Sequence, residues 1–275
     1  MATNQDVHVA AAVAAEGAGF GQRIGAIAGG ASGMLLVSSL ALLGLWWAGS
    51  AMLPASVLPG PPAVLTQMIE NAQGKMLWTD MGHTLRRIFF AFIVAMSVAT
   101  ALGFAMALSK RADDLFRIVL ILGVTMPALV LILLSYMIVG LNDTAAIIGA
   151  ALPVIAVLTI NIREGVRSID TRIQGMARAF RATPRQMLLD VMTPQVVPVL
   201  LASTRFGIGL IWKMVLFVEL LGRSDGIGYR IEFYYQMYNM KQVLALALSF
   251  VIVMLLIEVG IIGQAERRLY RWRAR

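Results

Sequence analysis

Apolar residues fill six long runs of this chain, and shorter polar segments separate the runs. Each run is long enough to cross a hydrocarbon core of about 30 Å as an α-helix. The pattern therefore predicts an all-α, polytopic membrane protein with about six spanning helices. We place the helices at residues 31–53, 85–109, 115–139, 144–161, 196–221 and 242–263.

The two ends of the chain differ from this helical region. We expect residues 1–30 to be a flexible cytoplasmic tail, because glycine is frequent there and is a poor helix former. Glycine recurs at every fourth position from Gly17 to Gly33, which leaves a close helix-packing seam as the alternative. Residues 31–265 form the predicted membrane domain, and residues 266–275 form a basic cytoplasmic tail.

The loop between the first two runs, residues 54–84, contains a proline cluster that ends the first helix. Apolar residues at helical spacing after Pro62 predict a short helix at the membrane interface. Residues 76–78 predict a second interfacial piece before the next span begins.

The longest polar segment, residues 162–195, lies between the fourth and fifth runs and predicts two short amphipathic helices. Asp170 is placed to cap the first helix. Apolar residues then recur at the i, i+3, i+4, i+7 spacing of one helix face. They are Ile173, Met176, Ala177 and Phe180.

The second helix of this segment begins with a capping-box pattern. Thr183 stands at the N-cap, Pro184 at the first helical position and Gln186 at the third. We expect Pro194 to end this helix. Its apolar face consists of Met187, Leu188 and Val191.

Six arginines surround these apolar faces, which therefore need a surface to cover them. Either the helix pair lies on the membrane surface, or it docks into a groove of a partner protein. The segment contains neither lysine nor tryptophan, which favours the docking interpretation.

Composition agrees with a membrane protein, since 59% of the residues are hydrophobic, 14% are charged and the mean hydropathy is +0.79. The net charge of +8 reflects topology, not nucleic-acid binding. With both termini and the long polar segment in the cytoplasm, fifteen of the 23 Lys and Arg residues fall on the cytoplasmic side. We therefore predict that orientation.

The chain lacks the residues of the common catalytic and metal sites. It has no cysteine and only two histidines, which are far apart in sequence. It contains no GxxxxGK[ST] and no HExxH pattern. We predict no catalytic residue, no metal site and no cofactor in this chain, so that any ATP hydrolysis would belong to a partner.

Four ionisable residues lie within the fifth and sixth predicted spans, and charge at membrane depth is costly and tends to be functional. Lys213 and Glu219 are six residues apart and cannot pair within one straight helix, so they either find partners on other helices or line a pathway. A buried ion pair or a side chain that extends to the interface is the alternative. For Arg205 and Glu258 that alternative is the preferred interpretation.

The order of these features resembles the permease subunits of bacterial ABC importers, most closely the nitrate, taurine and aliphatic-sulfonate group. That family has a Glu-Ala-Ala triplet and a glycine in a cytoplasmic loop with a proline-containing end; the matching stretch here is Gly175–Ala182, followed by Pro194 and Pro198. The match covers roughly residues 55–270. Further similar stretches are Leu58–Pro61, Leu85–Phe92, Leu102-Gly103, Trp212-Lys213, Glu219-Leu220 and Gly226–Tyr229.

Three departures from the family pattern stand out. Gly175 occupies the position of the family's glutamate, and Arg181 occupies the position of its glycine. A glycine there permits a left-handed turn that arginine adopts only at an energetic cost, so residues 182–184 are the alternative turn. The stretch Tyr136–Asp143 replaces a Trp-Phe-Gly-like segment after the third span.

The resemblance implies a type I ABC importer permease in the bacterial inner membrane, surrounded by lipid. It implies two identical permease copies, two ATPase subunits and an extracytoplasmic solute-binding protein that delivers a small anionic solute. The pathway candidates are Tyr136, Trp212, Lys213 and Glu219. The residues expected to dock the ATPase are Ile173, Met176, Ala177, Arg178, Phe180, Arg181, Thr183, Pro184, Met187 and Leu188.

Two other classes of function remain open. In an ion-coupled secondary transporter or channel, Lys213 and Glu219 would carry the coupling ions and no ATPase would be needed. Such proteins often contain inverted repeats and paired helix breaks, and the sequence shows no convincing repeat. In a membrane scaffold, the long segment would recruit a partner without any solute flux.

Overall fold

The computed structural model describes residues 38–258 and residue 260, and the regular structure in that part of the chain is helical. The predictions for both tails, for the start of the first span and for the end of the sixth lie outside the described residues. The helices are α1 (38–52), α2 (Pro61–Gln73), α3 (Lys75–Leu108), α4 (Lys110–Thr125), α5 (Ala128–Val139), α6 (Asp143–Arg167), α7 (Thr171–Ala179), α8 (Pro184–Gln186), a π-helical turn (Met187–Met192), α9 (Thr193–Gly222), α10 (Ile227–Gln236) and α11 (Met240–Ile257).

The chain divides into two compact units, Met1–Val64 and Leu65–Arg275. In the described part of the first unit, α1 ends at the predicted proline cluster. Beyond it the chain turns at Pro54, whose carbonyl accepts a hydrogen bond from the Val57 N–H at 2.8 Å. The Trp46 indole N–H donates to the Pro59 carbonyl at 3.1 Å and so holds this turn against α1.

The second unit begins within α2, the short helix that the sequence predicts. The prediction of a separate interfacial piece at residues 76–78 is wrong. These residues lie in the first turn of α3, which is 34 residues long. The polar residues that suggested a loop do not end the helix, since they find partners inside the unit. Asp80 bonds to Arg230, and Thr84 bonds to Glu219.

The third predicted span is not one straight helix. α4 and α5 meet at a bend of 106°, and Met126 between them has extended backbone angles. Pro127 explains the break, because it has no N–H to continue the helical ladder and disfavours helical angles in the residue before it.

α6 is the central helix of the second unit, and α3, α4, α5 and α9 pack against it. Small buried residues such as Ala145, Gly149 and Ala150 allow this close approach. On α3, a Cβ at Gly103 would lie 2.8 Å from the Ile162 side chain. Four described helices are long and apolar enough to span a membrane, or five spans if α4 and α5 form one broken span. With α1 they agree with the predicted six.

The prediction that Pro194 ends the second amphipathic helix is wrong. The chain is helical without interruption over 39 residues, from Pro184 to Gly222. A π-helical turn precedes Pro194, which then lies in the first turn of α9. Proline has no N–H to donate, and the π-helical turn changes the backbone pairing directly before it.

Candidate functional site

The 171–192 segment, which comprises α7, α8 and the π-helical turn, begins and turns as the sequence predicts. The Asp170 carboxylate caps α7 by accepting a backbone N–H at 2.8 Å. α7 ends at Ala179, and Arg181, two residues beyond it, has a left-handed φ of 54°. The Ala182 N–H donates to the Ala177 carbonyl, and the Arg181 N–H to the Arg178 carbonyl, both at 2.9 Å. Arg181 therefore makes the turn itself, and the alternative turn at residues 182–184 is not used.

The predicted capping box is confirmed at the start of α8. Thr183 Oγ1 accepts the Gln186 N–H at 3.3 Å, and Gln186 Oε1 accepts the Thr183 N–H at 2.9 Å. Pro184 occupies the first helical position, as predicted. The two caps fix the angle at which the 171–192 segment leaves α6 and returns to α9.

Three large apolar side chains within α7 and at its C-cap are exposed. Ile173 is 41% exposed, Met176 57% and Phe180 82%. Ala177, at the edge of the same stripe, is buried, and α7 packs against the π-helical turn. A Cβ at Gly175 would have no neighbour within 4 Å. The glycine that stands here in place of the family's glutamate therefore leaves no packing defect.

The other predicted docking residues lie around this face. Met187 is half-buried, and the side chain of Leu188 lies outside what the structure describes. The residues that are exposed are Arg178, Arg181, Thr183 and Pro184. The 171–192 segment thus carries an apolar patch with arginines beside it.

Lys213 and Trp212 lie next to each other on α9. The Lys213 ammonium is 5.4 Å from the Trp212 ring centroid, a cation–π distance, and Lys213 is exposed. Trp212 is half-buried against Phe250. Lys213 shares an open groove of about 540 Å³ with Arg205 and Glu258. Arg205 Nε lies 3.8 Å from Glu258 Oε1, which favours the predicted ion pair.

Glu219 is fully buried and belongs to the arginine cluster, which we define as Thr84, Arg87, Asp143, Glu219 and Asp225. Arg87, on α3, is also fully buried. Its guanidinium donates at 2.7 Å to Glu219 and at 2.7 Å to Asp143, and it also bonds to the Asp225 carboxylate. Of the two interpretations of Glu219, the geometry favours a tertiary ion pair with another helix.

The turn after α9 closes around the Glu219 carboxylate. Glu219 Oε2 accepts hydrogen bonds from the Thr84 hydroxyl at 2.9 Å and from the Gly228 N–H at 3.0 Å. Gly226 has φ of 100°, and a Cβ there would overlap the carboxylate. A Cβ at Gly228 would lie 2.6 Å from the Leu216 carbonyl oxygen. Both glycines are therefore required by a backbone that passes next to a buried charge.

Tyr136 packs α5 against α9. It is 6% exposed, and its hydroxyl donates to the Val218 carbonyl at 2.7 Å. A Cβ at Gly222 would lie 2.6 Å from the Tyr136 ring. Tyr136 and Glu219 are thus enclosed within this one chain, whereas Lys213 is exposed.

Sequence reasoning did not find the role of Arg87, which we used only as part of the family-like stretch Leu85–Phe92. One signal was present, since an arginine inside a predicted span needs acidic partners. Asp143 and Asp225 lie just beyond predicted span ends and could supply them. The sequence does not show that these ends meet in space.

A second group of charges, the Asp113 cluster, lies at the other end of α6. Asp113 is in the first turn of α4. Its carboxylate lies 3.0 Å from the guanidinium groups of three arginines, and it is almost fully buried. They are Arg117, Arg163 and Arg167. Within the described residues, no group of three or more His, Cys, Asp or Glu side chains is placed to hold a metal ion.

The chain is similar to named transport permeases. It is 28% identical over 246 residues to the taurine transport system permease protein TauC of Escherichia coli, with 86% of this chain and 89% of that protein covered. It is 26% identical over 244 residues to the nitrate import permease protein NrtB of Synechococcus elongatus, with 84% of each covered.

Solved structures share the fold. An inward-facing form of the MetNI methionine ABC transporter aligns with a TM-score of 0.60 at 18% identity, over 69% of this chain and 94% of that chain. An amino acid ABC transporter with histidines aligns with a TM-score of 0.61 at 19% identity, over 74% and 97%. The predicted type I permease fold is therefore confirmed.

Residues 93–266 match the family described as binding-protein-dependent transport system inner membrane component. This match covers more than half of the chain, and the helices, the order of the motifs and the fold agree with it. The chain therefore belongs to this family and is a membrane-embedded permease subunit of the ABC importers.

Proposed function

We propose that this permease forms the translocation pathway of an ATP-driven importer for a small anionic solute such as taurine, an alkanesulfonate or nitrate. The names of its relatives support this substrate class, since TauC is named for taurine and NrtB for nitrate. Exposed Lys213, in a groove of α9, supplies a positive charge that an anion would meet.

The 171–192 segment docks into a cytoplasmic ATPase subunit. The observation that carries this proposal is the exposure of Met176 and Phe180 on a capped, firmly placed helix. Large apolar side chains at the centre of a patch are typical anchors, and nearby arginines set orientation. ATP is hydrolysed by that partner, because this sequence contains no phosphate-binding loop pattern.

Two identical permease copies form the transporter, with one ATPase subunit for each 171–192 segment. The pathway runs along the interface of the two copies and alternates between outward-open and inward-open states as ATP binding shifts their populations. A solute-binding protein docks outside, against residues 54–84 and 222–241. Both termini lie in the cytoplasm, as the distribution of Lys and Arg favours.

Co-purification of the detergent-solubilised permease with its ATPase tests the docking. The double variant Phe180→Asp, Met187→Asp should lose the ATPase, because two charges would enter an apolar contact. The matched control is Tyr238→Asp, Met237→Asp, since Tyr238 is 81% exposed and Phe180 82%. The control pair lies on the opposite side of the membrane in the proposed orientation and should retain the ATPase.

If neither the native chain nor the control binds an ATPase, an ion-coupled transporter replaces this proposal. If the double variant and the control retain the ATPase equally, the docking surface lies elsewhere on the permease.

Uptake into reconstituted vesicles tests the role of Lys213. Replacement of Lys213 by Met should reduce uptake of labelled taurine, methanesulfonate or nitrate by about ten-fold, the scale of one interaction with a charged group. Assembly with the ATPase should be unchanged, because Lys213 is exposed. Lys110→Met is the control, since Lys110 is exposed and does not line this groove. Equal uptake by the two variants would show that Lys213 does not sense the anion.

A further inference from the structure

Gln195, in the first turn of α9, bonds to two parts of the chain through one side-chain amide. Its Oε1 accepts a hydrogen bond from the Asp170 backbone N–H at 3.0 Å. Its Nε2 donates to the Val191 backbone carbonyl at 2.8 Å. Asp170 caps α7, and Val191 belongs to the π-helical turn. The amide therefore joins the start of the 171–192 segment to its end.

The Gln195–Val191 bond supports a weakened stretch of helix. Pro194 and Pro198 have no N–H, and the π-helical turn changes the backbone pairing just before α9. Turns of this kind bend more readily than a regular α-helix. A side-chain donor to a carbonyl in this turn limits that bending.

The Gln195–Asp170 bond closes a loop of chain. From Asp170 the chain runs through α7, the left-handed turn at Arg181, α8 and the π-helical turn to Gln195, whose side chain returns to Asp170. A loop closed at both ends keeps its shape, so α7 cannot move without moving the start of α9. Without this bond, the two helices would be joined only by the turn and by packing of α7 on the π-helical turn.

Gln195 also lines a groove beside the start of α9. A groove of about 480 Å³ lies between the turn after α6 and the side of α9 that carries Pro194 and Pro198. One turn beyond Gln195, α9 is held tightly against α6, because a Cβ at Gly165 would overlap the Val199 side chain. The attachment of α9 to the helical unit therefore begins at Val199, and Gln195 connects the 171–192 segment to that point.

We propose that Gln195 is a positioning residue that makes the 171–192 segment and α9 move as one body. This proposal rests on the proposed function, in which an ATPase moves the 171–192 segment and α9 lines the pathway. Gln195 touches neither ATP nor solute. It acts by transmitting a displacement of α7 to the pathway, so its loss separates ATP hydrolysis from transport.

The test compares Gln195→Leu with wild type in vesicles that contain the permease, its ATPase and its solute-binding protein. Labelled taurine, methanesulfonate or nitrate is the probe, whichever wild type takes up. The variant should move about five-fold fewer solute molecules per ATP hydrolysed, the factor that one neutral hydrogen bond corresponds to. ATPase binding and the rate of hydrolysis should stay at the wild-type level, which a merely misfolded permease would not achieve.

Thr125→Val is the matched control, since Thr125 is exposed and its hydroxyl, among the contacts described, bonds only within α4, to the Ile121 carbonyl at 2.8 Å and the Leu122 carbonyl at 3.3 Å. A cross-link supplies the second measurement, because the chain has no cysteine. The pair Ser168→Cys, Gln195→Cys should be uncoupled when reduced, and a short bifunctional thiol reagent across the groove should restore coupling. Ser168→Cys alone should stay coupled with or without the reagent.

The proposal is overturned if Gln195→Leu keeps the solute-to-ATP ratio of Thr125→Val, or if the cross-link does not restore the ratio in the double variant. Failure of the proposed function gives a different result. In that case the wild-type permease takes up solute without a bound ATPase, or binds no ATPase at all.

Discussion

Two ion clusters hold the opposite ends of α6, and they are built in opposite ways. Near the start of the helix, the arginine cluster has one buried arginine, Arg87, at its centre, paired with three carboxylates on α6, α9 and the turn after α9. Arg86 and Arg223 also pair with the more exposed of these carboxylates. Near its end, the Asp113 cluster sets one carboxylate against three arginines. The two clusters also differ in their access to water.

In the arginine cluster, the side chains of Arg87 and Glu219 are 1% and 0% exposed. A group buried to this degree cannot exchange its partner for water, so the ends of α3, α6 and α9 stay in fixed positions. In the Asp113 cluster, the arginine side chains are 17%, 37% and 57% exposed. Water and salt can replace those contacts, and this end of α6 can adjust.

The fixed end and the adjustable end match the proposed orientation. The Asp113 cluster lies at the end of α6 that leads into the 171–192 segment, where an ATPase would act. Its excess of arginine agrees with a cytoplasmic location. The arginine cluster would then face outside and serve as the fixed point against which the inner ends of the helices move.

The largest effect in this comparison is expected from Arg87→Met. The change removes the one cation that all three carboxylates contact, and leaves the fully buried Glu219 without its ion-pair partner. The free energy of unfolding should fall by about 3–5 kcal/mol. Thermal unfolding of the detergent-purified permease, together with its yield in the membrane, measures this loss.

The neighbouring Arg86→Met is the control for this prediction. Arg86 pairs with Asp143 as well, but its side chain is 50% exposed. Its loss should change the free energy of unfolding by less than about 1 kcal/mol. Equal losses in the two variants would mean that burial of Arg87 does not set the strength of the arginine cluster.

A smaller effect is expected where the backbone passes next to this cluster. Gly226→Ala places a methyl group against the Glu219 carboxylate at a φ of 100°, and should lower the free energy of unfolding by about 2–3 kcal/mol. Gly175→Ala, at an open position within α7, should instead stabilise the protein by up to about 1 kcal/mol. Chemical denaturation of both variants measures the difference.

Equal behaviour of the two glycine variants would contradict the tight fit around Glu219. It would show that the turn after α9 can move away from the carboxylate. The arginine cluster would then be less rigid than its burial indicates.

Sequence patterns located the features that depend on neighbouring residues. The Asp170 cap and the Thr183 capping box follow from residue types within a few positions of each other. The spans follow from long apolar runs in the same way. These predictions needed no knowledge of how distant parts of the chain meet. The sequence left the turn at Arg181 open, because an arginine does not itself indicate a left-handed backbone.

The arginine cluster could not be found in this way, because hydrogen-bonded partners within it lie up to 138 residues apart in the sequence. The same limit explains the error at residues 76–78. The polar residues Asp80 and Thr84 suggested a loop, but distant partners allow them to lie within a helix. Pro194 was misread because the π-helical turn before it depends on the packing of α7 and α9.

The smallest effect of this series is expected from Asp113→Asn. Loss of this carboxylate frees arginines that can turn towards water, so the free energy of unfolding should fall by only about 1 kcal/mol. Asp114→Asn is the matched control, because Asp114 is 60% exposed and lies 4.0 Å from Arg117. The control should be indistinguishable from wild type.

Salt separates the two clusters in the same experiment. Raising the ionic strength from about 0.1 M to about 1 M shortens the screening length from about 10 Å to about 3 Å and should lower the thermal midpoint of wild type slightly. Asp113→Asn should remove most of that decrease, because the arginines of the Asp113 cluster are more accessible to salt than Arg87 and Glu219 are. Arg87→Met should keep it, since the Arg87–Glu219 pair at the centre of the arginine cluster is buried. A salt effect that disappears with Arg87 and persists without Asp113 would reverse the assignment of the fixed and adjustable ends.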